Sequence, residues 1–291
     1  MNQTQFLLAL HLTAGIGKAR ESRIIDYINE FGQNSENYPW SLAELSQILG
    51  LAADSASYQQ IQATYQQSLN LAENFLVPFI TYFDLDYPRR LREIYQPPLI
   101  LFYQGNLQSL SLPALAVVGT RQASPYGLQV VRALLPEVID TGCAIVSGLA
   151  KGIDIMAHQV TFASGGIPIG VIGTGLDRVY PRQHRILQEQ VSQQGLVLSE
   201  YPPGTGPLKG HFPDRNRIIA GLASATLVVE AHLHSGSLIT ANLALQENRQ
   251  VLAVPGSILS PSSAGANALI QAGALPVLSA SDIIGSVRQL G

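Results

Sequence analysis

Lysine is almost missing from this chain. Of 291 residues only Lys18, Lys151 and Lys209 are lysine, and outward positions carry glutamine instead, as in "YQQIQATYQQSL". Charge is scarce altogether, at 13% of residues with a formal net charge of -3. The chain therefore has no global basicity with which to attract a polyanion, and any anion site must be local. The single cysteine, Cys143, sits in the apolar run "CAIVSG". That excludes an intramolecular disulfide, leaves a small buried hydrophobe, and suits a reducing, cytoplasmic compartment. No stretch approaches eighteen uninterrupted apolar residues and "MNQTQFLLALHL" has no cationic leader, so a soluble protein without membrane association is expected. A GxxxxGK[ST] run is also lacking, which argues against a P-loop nucleotidase.

What is present is a 46% hydrophobic composition, over a length that supports one large domain and a small one. Residues 1–72 read as a small all-α domain. Apolar positions recur at helical spacing in "ESRIIDYINEF" and "SLAELSQIL", and Ser41 followed by Glu44 is a capping-box signal. Within it "LTAGIGKARESRII" has the pattern of a helix-hairpin-helix. Two readings stand there: the Gly15 and Gly17 amides face a phosphate beside Lys18, or the glycines make a tight inter-helical turn. Residues 73–291 read as one extended domain. Its first part carries prolines and tyrosines, with short strands expected at 77–82 and 99–103, and its aromatic content would be costly to leave in water.

After residue 115 the runs "LAVVG", "CAIVSG", "PIGVIGTG", "GLVLSEY", "TLVVEA", "QVLAVPG" and "LPVLS" alternate with helical segments. Several are apolar on successive residues, which suits strands covered on both faces. The expected fold class is α/β, a Rossmann-like, doubly wound, mostly parallel sheet. Right-handed crossovers then gather the loops that follow the strands at one crevice, where function is to be sought.

The first such loop brings Gly119, Thr120 and Arg121 ahead of Ser124 as N-cap and Pro125 at the first helical position, a helix start that favours an anion. The second brings Gly148, Lys151 and Gly152. Asp154 and His158 lie one helical turn apart in it, and mutual contact is the expectation in preference to a shared metal or proton. The third has Gly173 and Gly175, but Arg178 stands where a dinucleotide fingerprint needs its last glycine. A glycine turn under a phosphate remains. Further on, Gly236 and Ser237 open a helix. The nearby His232 and His234 lack a third metal ligand at useful spacing beyond Glu230, and Ser147 lacks the flanking glycines of a nucleophile elbow, so neither metal nor catalytic residue is assigned.

The segment "LKGHFPDRNRII" follows a loop, residues 201–210, holding three prolines and three glycines. It crowds Lys209, Arg215, Asn216 and Arg217 around Phe212. Phe212 either staples onto Ile218 or Ile219, or it is a stacking platform flanked by phosphate contacts. The loop composition favours the platform. A base has both a π-face and a phosphate, and a duplex hides its base faces, so single-stranded nucleic acid is the natural ligand.

The blocks "VVGTRQASPYG", "SGLAKGID", "GTGLDRVYP", "SEYPPGTGPLKGHFPDRNRIIAGL", "VVEAHLHSGSLITA", "VLAVPGS" and "GANALIQAGA" resemble, in that order, the DNA-processing protein A family, also called Smf or DprA. The match runs over residues 79–274, and the N-terminal helices look like the family's sterile-alpha-motif-like (SAM-like) domain. The resemblance implies a non-catalytic protein of natural transformation. Such a protein binds and protects incoming single-stranded DNA, relieves the barrier posed by single-strand-binding protein, and loads the RecA recombinase. It implies strand contacts at Arg121, Lys209 and Phe212, no cofactor, and a homodimer contact at Leu269 and Ile270. His184 stands where the family commonly has asparagine, and the family's winged-helix-like C-terminal domain is not in this sequence, so its roles are not carried over.

Two rivals stand beside that reading. One is a nucleoside-monophosphate-processing enzyme of the phosphoribohydrolase type, for which only Glu230 is an eligible base. The other is an assembly adaptor with a vestigial crevice.

Overall fold

The computed structural model describes residues 1–32 and 37–288. It divides into two compact units, one of residues 1–87 and 95–102, the other of residues 88–94 and 103–291.

The first unit begins with four helices, α1 (Gln3–Leu12), α2 (Lys18–Phe31), α3 (Leu42–Leu49) and α4 (Ala56–Glu73). Helix α1 is apolar on every side from Phe6 to Leu10, and all five residues are fully buried. That is the behaviour of a central core helix. The α3 capping box forms as expected, with the Glu44 amide donating to Ser41 Oγ at 3.2 Å and the Ser41 amide to Glu44 Oε2 at 2.6 Å. Gly50, at φ +60, ends the helix in the left-handed region. The Gly15–Gly17 turn is tight: Gly15 has φ +91, its carbonyl accepts from the Arg20 guanidinium, and Gly17 caps α2. Strand β1 (Phe79–Thr81) pairs antiparallel with the first half of β2 (Ile100–Gly105), and the rings of Phe75, Phe79 and Phe102 pack together. Residues 73–87 and 95–102, grouped from sequence with the sheet domain, cluster with the first unit.

The second unit comprises α5 (Arg89–Arg92), β3 (Ala114–Val118), α6 (Pro125–Asp140), β4 (Ala144–Ser147), α7 (Ile153–Ala163), β5 (Pro168–Ile172), α8 (Arg185–Gln194), β6 (Leu196–Ser199), α9 (His211–Leu222), β7 (Ala225–Val228), α10 (Gly236–Gln246), β8 (Gln250–Ala253), α11 (Ala264–Gln271), β9 (Leu275–Pro276) and α12 (Ala280–Arg288). Its strands hydrogen-bond in the order β6-β5-β4-β3-β7-β8-β9. The pairs from β6 through β9 are all parallel. The central strands are buried along their whole length, as runs of successive apolar residues require, and Leu115, Val117, Ile145 and Leu227 pack with Val131, Leu135 and Ile153 in the main core. From β3 the chain winds outward through β4 to β6, then returns to the other side of β3 for β7 to β9. That reversal beside β3 is where a doubly wound sheet opens a crevice.

Candidate nucleic-acid interface

A cleft of about 790 Å³ opens at this switch point. Its walls come from the loop after β3 (Gly119, Thr120, Arg121), the start of α7 (Asp154), α9 with its preceding loop (Lys209, Phe212, Arg215, Asn216), and the start of α10 (Gly236, Ser237). Eight residues predicted from sequence thus meet here: Gly119, Thr120, Arg121, Lys209, Phe212, Arg215, Asn216 and Ser237. Lys151 is exposed nearby in the β4–α7 loop but does not line the cleft.

Main-chain bonds hold the loops together. The Thr120 amide donates to the Glu230 carbonyl at 2.8 Å, and the Ile153 amide donates to the Thr120 carbonyl at 3.3 Å. Gly152 lies at φ +78, where a Cβ would stand 2.3 Å from the Thr120 carbonyl, so glycine is required by both conformation and space.

The cations fall into two classes. Arg121 and Lys209 are exposed, and neither makes an ion pair among the described residues. Arg215 and Arg217 turn inward instead. Arg217 pairs with Glu200, both buried, and lies outside the cleft lining. Arg215 Nη1 donates to the Val171 carbonyl at 2.6 Å, and its guanidinium fills the space before Gly148, where a Cβ would sit 2.0 Å from it. Burial brings its pKa down to about 10, with Asp154 opposing that change and Arg121 adding to it.

Phe212 is half-buried. Its ring lies beside the half-exposed ring of Tyr180 and over Gly173, where a Cβ would come within 3.3 Å of it. Behind it, His211 stacks on Tyr201 at 3.9 Å and its Nδ1 lies 3.1 Å from the Gly173 carbonyl. Tyr180 also lines the cleft and escaped the sequence reading, because "VYP" sits among the glycine-loop residues with nothing to mark its ring as outward.

Several sequence expectations change. Gly175 does not offer its amide to a phosphate: it donates to the Thr205 carbonyl at 2.9 Å, and both Gly173 and Gly175 serve close approach of the 201–212 segment. The start of α6 is already filled by an internal anion, since Glu230 accepts from the Ser124 amide at 2.9 Å and from Ser124 Oγ at 2.6 Å. Gly127 makes room for that carboxylate, 2.2 Å from where its Cβ would be. Glu230 also accepts from Ser262 Oγ at 3.0 Å, is buried, and does not line the cleft. Asp154 does not meet His158. It turns back to the loop, accepting from the Gly148 amide at 3.1 Å and the Ala150 amide at 3.3 Å, while burial raises its pKa. His158 is fully buried with both ring nitrogens lacking a hydrogen-bond partner, and burial pushes its pKa down to about 3. His232 and His234 are exposed, and no group of metal-ligating side chains assembles among the described residues. Leu269 is buried within its own subunit on α11, which packs on β8, and Ile270 is half-buried.

The profile of the family described as DNA recombination-mediator protein A matches residues 78–288. The chain belongs to this family. A DNA processing protein of Streptococcus pneumoniae is 44% identical over 258 residues, covering 88% of this chain and 89% of that protein. A relative from Bacillus subtilis is 46% identical over 198 residues, or 68% of this chain and 67% of that protein. Among solved structures, the S. pneumoniae protein superposes with a TM-score of 0.89 at 40% identity, covering 98% of both chains. A Helicobacter pylori DNA processing protein A, studied for its single-stranded DNA binding mode, superposes with a TM-score of 0.65 at 30% identity, over 73% of this chain and 97% of that one. The mostly parallel α/β sheet and the N-terminal helices of this chain match the fold of the S. pneumoniae protein. Among the described residues no helix is long and apolar enough to cross a membrane.

Proposed function

We propose that this chain binds single-stranded DNA in the cleft beside β3, with bases stacking on Phe212 and phosphates meeting Arg121 and Lys209. The observation that carries the reading is the pairing of a half-exposed ring with exposed cations that lack internal partners, next to arginines that have them. A nucleotide polymer uses both surfaces; a small anion has no use for the ring. The start of α10 adds to this, because the Ser235 side chain bonds Ser237 Oγ at 2.9 Å and leaves the helix-start amides uncapped, and Ser237 lines the cleft. In the cell the bound strand is incoming transforming DNA, which the protein protects from nucleases and passes to RecA in the presence of single-strand-binding protein. Two copies pair through α11, which carries Leu269 and the half-buried Ile270, and the segment after it, where Leu275 and Leu278 are exposed. The role involves no bond making or breaking: Glu230, the base eligible from sequence, spends its oxygens on Ser124 and Ser262, and Asp154 in the cleft wall accepts from the Gly148 and Ala150 amides.

The test is fluorescence anisotropy of labelled oligothymidylate across a salt series, beside an assay for base release from AMP. Salt-sensitive binding of the single strand over duplex, with no release of adenine, supports the reading. Turnover of AMP overturns it. RecA filament formation on strands coated with single-strand-binding protein, and the mass of the protein in solution, test the loading and pairing roles.

A further inference from the structure

We infer that Arg215 and Asp154 form a buried brace that aims Arg121 into the cleft and do not themselves hold the ligand, a reading that rests on the cleft being a single-strand site. Both residues line the cleft floor, yet each is only 6% exposed, and their polar atoms face the protein. Asp154 gathers the Gly148 and Ala150 amides and so fixes the β4–α7 loop. Arg215 reaches from α9 to the Val171 carbonyl on β5 and lays its guanidinium against Gly148 of that same loop. Two side chains thereby tie together the ends of β4 and β5 and the starts of α7 and α9. Arg121, from the β3 loop, stands close enough to raise the cost of charge on Arg215. The braced loop also touches the Arg121 main chain directly: a Cβ on Gly152 would stand 2.8 Å from the Arg121 carbonyl carbon. Asp154 favours the charged form of Arg215, and repulsion between the two arginines leaves Arg121 directed toward solvent and the cleft.

This assignment differs in sign from simple electrostatics. If Asp154 were merely a negative charge facing phosphates, its removal would tighten binding. As part of a brace, its removal weakens binding, because Arg215 becomes an uncompensated buried charge beside Arg121.

The experiment measures anisotropy of 5′-fluorescein oligothymidylate against salt for the full chain and for Asp154→Asn, Arg215→Lys, Gly148→Ala and Arg121→Ala, each below its own melting temperature. The brace predicts that the first three weaken binding by about tenfold while keeping the wild-type salt slope, because Arg121 keeps its charge beside the strand and loses only its hydrogen-bonding geometry, and that only Arg121→Ala lowers the slope. A merely structural role would lower the melting temperature and leave the affinity of the folded protein unchanged. The double variant Asp154→Asn with Arg215→Met buries no unpaired charge, so it keeps the fold measurable, and it is expected to bind as weakly as the single variants. Tighter binding by Asp154→Asn, wild-type binding by Arg215→Lys or by the double variant, or a lowered slope for Arg215→Lys each overturns the inference. Failure of the wild type to bind the probe at all overturns instead the reading of the cleft.

Discussion

The rings of Phe212 and Tyr180 stand 5.2 Å apart, centroid to centroid, with their planes inclined by 41°. No third ring fits between them, so the proposed base lies across the two rings together. Phe212→Ala is expected to weaken oligothymidylate binding by about 1 to 3 kcal/mol, with Tyr180→Ala costing less and Phe212→Trp restoring affinity. The salt slope stays at the wild-type value in all three, as titrations at several salt concentrations would show.

The proposed roles of Arg121 and Lys209 are electrostatic. Each alanine substitution is expected to reduce the slope of log affinity against log salt by about 0.7, one phosphate's worth on a single strand. Equal slopes for Arg121→Ala and Phe212→Ala would contradict the roles assigned to both.

The Arg217–Glu200 pair is a matter of stability. Glu200→Gln leaves a buried guanidinium without its counter-charge and is expected to cost about 3 to 5 kcal/mol in denaturant unfolding. Replacing both partners by apolar residues of similar volume is expected to cost much less than that single change. A small loss for Glu200→Gln would show that Arg217 finds water.

His158 makes the fold sensitive to acid. Its pKa falls from 6.5 to about 3 on burial, so the folded state holds it neutral. Its contribution is fully present above pH 6.5 and is lost as pH drops from there toward 3, at a limiting rate of about 1.4 kcal/mol per pH unit. His158→Leu is expected to flatten this part of the stability profile. Urea unfolding at a series of pH values tests it; an unchanged slope in the variant would place the acid sensitivity elsewhere.

Much of this architecture can be read from local sequence. Strands β3 to β8 announce themselves because both faces are covered and successive residues are apolar, and the Ser41 and Ser124 caps depend on neighbours within three residues. The gathering of Arg121, Lys209 and Phe212 follows from the handedness of the crossovers. Less legible is which of several arginines faces out. Arg215 and Arg217 sit two apart on α9, on nearly opposite sides, and both are buried because α9 packs on the sheet, α5 and α10. Their partners, Asp154 and Glu200, come from the α7 start and the end of β6, and nothing local to "DRNR" points to either. The same holds for Gly148, whose missing side chain matters only once a distant guanidinium needs its place.

The cleft's frame is tied by peptide groups: Thr120 to Glu230, Ile153 to Thr120, Gly175 to Thr205. Beyond these and the Asp154–Arg215 brace, the exposed side chains of Arg121 and Lys209 take no part in keeping the trough in shape. A lineage is free to exchange one cation or ring for another, adjusting grip and salt tolerance to its surroundings, while the scaffold underneath is inherited intact.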